Sequence, residues 1–213
     1  MKKKKAISYY KLELDKSKKL LHLAKAIDKS LYRLAYWMVA RDEPLRNDTT
    51  VLLTKFKYSQ RAESFLARMN KRPRMFIFKD TTPVVSFGSY DDTKDAIFIS
   101  ERVRGTGSFY PVLFHELTHA AGRKTRVPRP STAYNTKSEK LTEEFIAEFG
   151  SLFLSSYFGV ASRRFMESFA SRITALTNTI KIDRRFKRGR LYYQPYIQEA
   201  MKAVKYLLLN EKI

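Results

Sequence analysis

From about residue 17 to 41, apolar side chains return at three- and four-residue steps: Leu20, Leu23, Ile27, Leu31, Leu34 and Met38. That spacing predicts one face of a long amphipathic helix. Lys18, Lys25, Lys29, Arg33 and Arg41 fall mostly on its other faces, and Pro44 ends it. A second helix is predicted within 48–70. The period then changes. Met75–Phe78 is a short β-type run between Pro73 and Pro83, and Val84–Phe87 and Ala96–Ile99 are two more. Ser89–Lys94, between the last two, carries turn chemistry, so two or three strands with a hairpin are predicted. Helical spacing resumes after Gly105 and Gly107. Ser108 is the expected N-cap, Pro111 fits the first turn, and Gly122 is the expected stop. A loop with Pro128 and Pro130 follows. Thr136 and Glu139 have capping-box spacing for a helix over 137–157. Two further helices are predicted near 162–180 (Phe165, Phe169, Ile173, Leu176) and 194–210 (Ile197, Met201, Val204, Leu208). The mixture predicts an α+β fold: a small antiparallel or mixed sheet, with helices before and after it.

Composition narrows the picture. The 213 residues are 44% apolar, enough for a single core. We divide the chain into a basic helical N-terminal region, 1–74, and a second part, 75–213, expected to form one compact unit. No 18-residue apolar run exists, so no membrane span is expected. Four lysines follow Met1, but Lys11, Glu13, Asp15 and Lys16 interrupt any apolar stretch behind them, which excludes a secretory signal reading. The absence of cysteine excludes disulfides and Cys-ligated zinc, and is compatible with a reducing cytoplasm. The net charge of +21 is unevenly spread. Residues 1–74 carry 20 Lys/Arg against 7 Asp/Glu, 75–158 carry 10 against 10, and 159–213 carry 12 against 4. Basic flanks around a neutral middle point to a polyanion partner, nucleic acid first. Arg184, Arg185, Lys187, Arg188 and Arg190, followed by Tyr192 and Tyr193, combine phosphate-binding cations with stacking rings.

The neutral middle holds the chemistry. His115-Glu116-Leu117-Thr118-His119 is an HExxH pattern. On a helix the two imidazoles share a face and can bind one zinc ion. Glu116 lies about 100° around the helix from His115, where it can act as general base on a zinc-bound water without becoming a ligand. With three histidines and this composition, chance would produce the pattern in roughly two or three sequences in a thousand. A catalytic zinc needs a third protein ligand. His22 is far upstream and reads as a structural residue. Thr125 stands three residues after Gly122, where a third histidine would be expected in the metzincin pattern. Carboxylates remain, and the run Leu141–Glu148 offers Glu143, Glu144 and Glu148. Glu144 and Glu148 share a helix face, while Glu143 is expected to turn away. One of the pair can bind zinc and the other orient an imidazole. Tyr134, in the intervening loop, is a candidate hydrogen-bond donor to a developing oxyanion.

The stretch Ser89–Leu154 resembles the metallopeptidase domain of ArdC-like antirestriction and polyvalent proteins of plasmids and phages. The matching residues are Asp95-Ala96-Ile97, Phe109-Tyr110, Phe114–His119, Gly122, Arg126, Glu143-Glu144 and Ala147-Glu148. Tyr196, Ile197, Ala200, Ala203, Tyr206 and Leu207 are similar to that family's final helix. The resemblance implies a zincin-like fold with His115, His119 and Glu144 as zinc ligands, Glu116 as base and Glu148 behind a ligand. It implies a peptidase of a phage or mobile element, acting on a protein or peptide substrate in the host cytoplasm or associated with a virion. Ala96–Ile99 is expected to be the edge strand with which an extended peptide pairs. The alternative is a nucleic-acid-binding or virion-associated protein whose zincin site is structural or vestigial.

Overall fold

The computed structural model describes residues 18–31, 58–79, 87–123, 125–129, 136–179 and 190–210. Helix α1 covers 18–31 and α2 covers Gln60–Arg68. Strands β1 (Arg74–Phe78), β2 (Gly88–Asp91) and β3 (Ala96–Ser100) follow, then a short 3-10 turn, Glu101–Val103. Helices α3 (Phe109–Ala121), α4 (Lys137–Tyr157), α5 (Arg163–Thr179) and α6 (Arg190–Leu209) complete the described chain. The α+β class expected from the sequence is what forms.

The sheet is mixed, in the order β1-β3-β2. β1 runs parallel to β3, with Phe76 opposite Phe98, and β2 pairs antiparallel to β3, with Tyr90 opposite Ile97. Ala96–Ile99 is therefore central among the described strands and not the expected edge. Its burial explains why: Ala96, Ile97, Ile99 and Ser100 are all inaccessible, a pattern for a strand covered on both sides. The hairpin also sits further along than expected. Its first strand is Gly88–Asp91 and its turn is 92–95, closed by Asp95 in a left-handed conformation (φ 47°). Of the expected strand Val84–Phe87, residues 84–86 lie outside the described residues.

Helix α3 packs against β2 and β3 on one side and against α4 and α6 on the other. Ten of its thirteen residues are buried, as befits a helix in the middle of the molecule. Ser108 occupies the N-cap position, yet its side chain makes no capping hydrogen bond. Gly122 ends the helix in a right-handed conformation (φ −75°), so its freedom to turn left is not used. The α4 capping box forms as expected: Thr136 Oγ1 accepts from the Glu139 amide at 3.1 Å, and Glu139 Oε2 accepts from the Thr136 amide at 2.9 Å. The core joins Leu23 and Ile27 of α1 and Phe65 of α2 to Phe114, Phe149, Phe153 and Phe158. His22 lies exposed on α1.

Candidate metal centre

Two helices build the site. α3 brings His115 and His119 to one face, one turn apart, and α4 crosses them with Glu144. The closeness of that crossing depends on Gly150: a Cβ there would lie 2.2 Å from Thr118 Oγ1. Such an approach needs glycine. One nitrogen from each of His115 and His119 and one carboxylate oxygen of Glu144 lie within 4.8 Å of one another. The Nε2 atoms of the histidines are 3.0 Å apart, and Glu144 Oε2 is 3.4 Å from His115 Nε2. Two imidazoles and a carboxylate make the donor set of a catalytic zinc site, so these residues fit a divalent metal. The Glu144 side chain is 44% exposed, against 7% for His119, so the triad opens to solvent on the Glu144 side.

The electrostatics are those of a cation site. Burial opposes a charge on His115, but the Glu144, Glu148 and Glu116 carboxylates outweigh it and hold the imidazole up at about 9. Burial likewise opposes charge on Glu144, and the two histidines prevail, bringing it down to about 2. Glu116 behaves oppositely: its burial pushes the carboxyl above the usual range, against the pull of both imidazoles. It lies beneath β2, where a Cβ on Gly88 would fall 2.9 Å from Glu116 Oε1. The missing side chain of Gly88 is what leaves room for this carboxylate.

Glu148 lies with Oε1 3.5 Å from His115 Nδ1 and 2.6 Å from Arg172 Nε on α5. Glu143 does not turn away. Its side chain is fully buried, 3.2 Å from His119 Nδ1, and Arg129 grips both of its oxygens. A single-face reading of α4 fails here because the helix is enclosed by α3, α5 and α6, so neighbouring positions both point inward. Arg129 and Arg172 went unread in the sequence. The available signal for Arg129 was a lone arginine between Pro128 and Pro130, in the loop joining the two site helices. Arg126, noted only within a pattern, anchors the same loop: it makes a two-pronged bond to Asp95 at 2.9 and 2.7 Å and reaches the Ala120 carbonyl at 2.8 Å. Tyr134 and Arg184, Arg185, Lys187 and Arg188 lie outside the described residues. Arg190 opens α6, and nothing further is described of it.

The family model MPTase-PolyVal, described as a zincin-like metallopeptidase, matches residues 82–188. No curated protein matches the chain. Two solved structures are similar, both of the antirestriction protein ArdC from the R388 plasmid, one with Mn(II) bound and one metal-free. Each is 24% identical, with TM-scores of 0.45 and 0.44; the match covers 80% of this chain and 55% and 53% of theirs. The chain thus spans about half the length of those structures.

Proposed function

Since the chain belongs to the zincin-like metallopeptidase family, we propose that it is a zinc-dependent peptidase of a phage or mobile element, acting on a protein inside a host cell. The observation that carries this reading is the conjunction of a three-donor set, His115, His119 and Glu144, with a separate buried carboxylate, Glu116, on the next position of the same helix. A structural zinc site is closed by a fourth protein ligand and has no use for a base, whereas a catalytic one keeps an open position. Zinc held there supplies Lewis-acid polarisation of a carbonyl and makes water acidic enough to attack near neutral pH. Glu116 takes the proton from the attacking water and delivers it to the departing amine. Its raised affinity for protons suits both halves of that task. Burial keeps Glu116 away from competing solvent, and the absence of a side chain at Gly88 lets the carboxylate fit beneath β2. With β3 central, the strand suited to pair with an extended substrate is β2, which flanks the sheet on the Glu116 side.

Glu116→Gln tests the mechanism. It preserves shape and ligands but removes the base. Peptide hydrolysis should fall by about two to four orders of magnitude, with zinc content unchanged. Activity equal to the parent would contradict the assignment.

A second reading, nucleic-acid binding, is favoured by one observation away from the centre. A cleft of about 370 Å3 between α1, α2 and the end of α4 is lined by Lys19, Arg61 and Arg68, with Arg61 lying over the Tyr157 ring at 5.3 Å. Among the described residues no acidic side chain lines it. Such a cleft suits a phosphate backbone with a base against the tyrosine, and the two readings are compatible in one protein.

A further inference from the structure

Behind each histidine stands a carboxylate of α4, and behind each carboxylate an arginine from elsewhere in the chain. The two arrangements are not equal. Glu148 is 3.5 Å from His115 Nδ1, its second oxygen makes no hydrogen bond among the described residues, and the side chain of its partner Arg172 is 41% exposed. On the other side everything is shut in: the Glu143 side chain is 0% exposed and that of Arg129 1%. Arg129 donates Nε to Glu143 Oε2 at 3.1 Å, and Nη2 to the Thr118 carbonyl at 3.1 Å and also to Glu143 Oε1. It therefore joins the backbone of α3, one residue before His119, to the α4 carboxylate that faces His119.

The chemistry of these groups fixes which nitrogen of a neutral His119 carries the proton. Arginine offers donors and nothing else. A carboxyl held at both oxygens by a guanidinium is an anion and can only accept. His119 Nδ1, 3.2 Å away, must then be the donor. In a neutral imidazole the other nitrogen is left with its lone pair. That nitrogen, Nε2, is the one beside His115 Nε2 and 3.7 Å from Glu144 Oε1.

We infer that Glu143 and Arg129 form a positioning unit that locks His119 as the Nδ1–H tautomer, with Nε2 ready to bind metal. The inference rests on reading His115, His119 and Glu144 as the metal ligands. It places the determinant of metal affinity partly in the loop between the two site helices, since Arg129 is the residue by which that loop grips the centre. His119 is the preset ligand, and His115, held more loosely, completes the site.

Two measurements test it. Long-range nitrogen–proton NMR of the histidine side chains, on the metal-free full-length protein at neutral pH, should show His119 carrying its proton on Nδ1. A proton on Nε2 would overturn the inference. Zinc affinity is then compared, by competition with a chelator, among the parent, Glu143→Gln/Arg129→Met and Glu143→Leu/Arg129→Met. Both double variants remove the buried charges together, so neither leaves an unpaired ion. The leucine variant should bind zinc about 10- to 100-fold more weakly, as expected when the partner behind a ligand is lost. The glutamine variant keeps an acceptor for Nδ1–H and should recover part of the loss, although the thermal stabilities of the two are similar. Equal zinc affinity in the parent and the leucine variant would overturn the inference. If the parent bound no zinc, the peptidase reading would fail, while the His119 tautomer would still decide the role of Glu143.

Discussion

What a carboxylate does beside an imidazole depends on which nitrogen it faces. Glu144 approaches the Nε2 atoms of both histidines and can share their metal, whereas Glu143 and Glu148 approach Nδ1 atoms and can only orient. The same crowding of carboxylates governs protons. In the metal-free protein His115 is held at about 9, above its ordinary 6.5, because the neighbouring carboxylates outweigh the opposing effect of burial. A group raised in this way stabilises the metal-free fold fully below its ordinary value, and that contribution disappears as pH rises through about 9. Metal binding needs the lone pair, so it must expel the proton. Zinc affinity should therefore climb with pH and level off near 9, with proton release on binding throughout the window from 6.5 to 9. Calorimetry in buffers of different ionisation enthalpy measures this release. A zinc affinity independent of pH across that window would contradict the electrostatic account.

At the scale of elements, the centre depends on how closely α3 and α4 cross, and Gly150 sets that distance. Gly150→Ala would force a methyl into Thr118, whose Oγ1 is already bonded to the Phe114 carbonyl at 2.8 Å. The substitution should destabilise the fold by about 1–3 kcal/mol, the usual cost of overpacking. A urea midpoint unchanged from the parent would show that the helices can separate freely. Gly150 was not noticed in the sequence, because a glycine within an apolar helical run gives no hint of its neighbour. Local signals did better. The capping box placed the start of α4 correctly, and HExxH placed both imidazoles on one helical face. Strand order was not readable, since β1 pairs with β3 across the intervening β2 and no local pattern records that choice. The run Ala96-Ile97-Phe98-Ile99, apolar without alternation, did carry the mark of a covered strand. Glu143 was misjudged for a related reason: a helix wheel presumes one buried face, and α4 is buried from Phe145 to Ser155 without interruption.

For the whole molecule, the surplus charge lies outside the segment that carries the metal centre. Among the described residues no helix is long and apolar enough to cross a membrane. Lys19, Arg61 and Arg68 gather at one cleft instead. Binding to single-stranded DNA should be largely indifferent to sequence and should weaken steeply with salt, because cations that neutralise phosphates release counterions. Reversing Arg184, Arg185, Lys187, Arg188 and Arg190 together should weaken it more than replacing Lys2–Lys5. An anisotropy titration at low salt checks both statements, and no binding to DNA or RNA would remove nucleic acid from the partners. The central claim, that His115, His119 and Glu144 hold one metal ion, is tested most directly by elemental analysis of the purified protein beside His115→Ala and His119→Ala. The account predicts about one zinc per parent chain and none in either variant. Full zinc occupancy in both variants would contradict it.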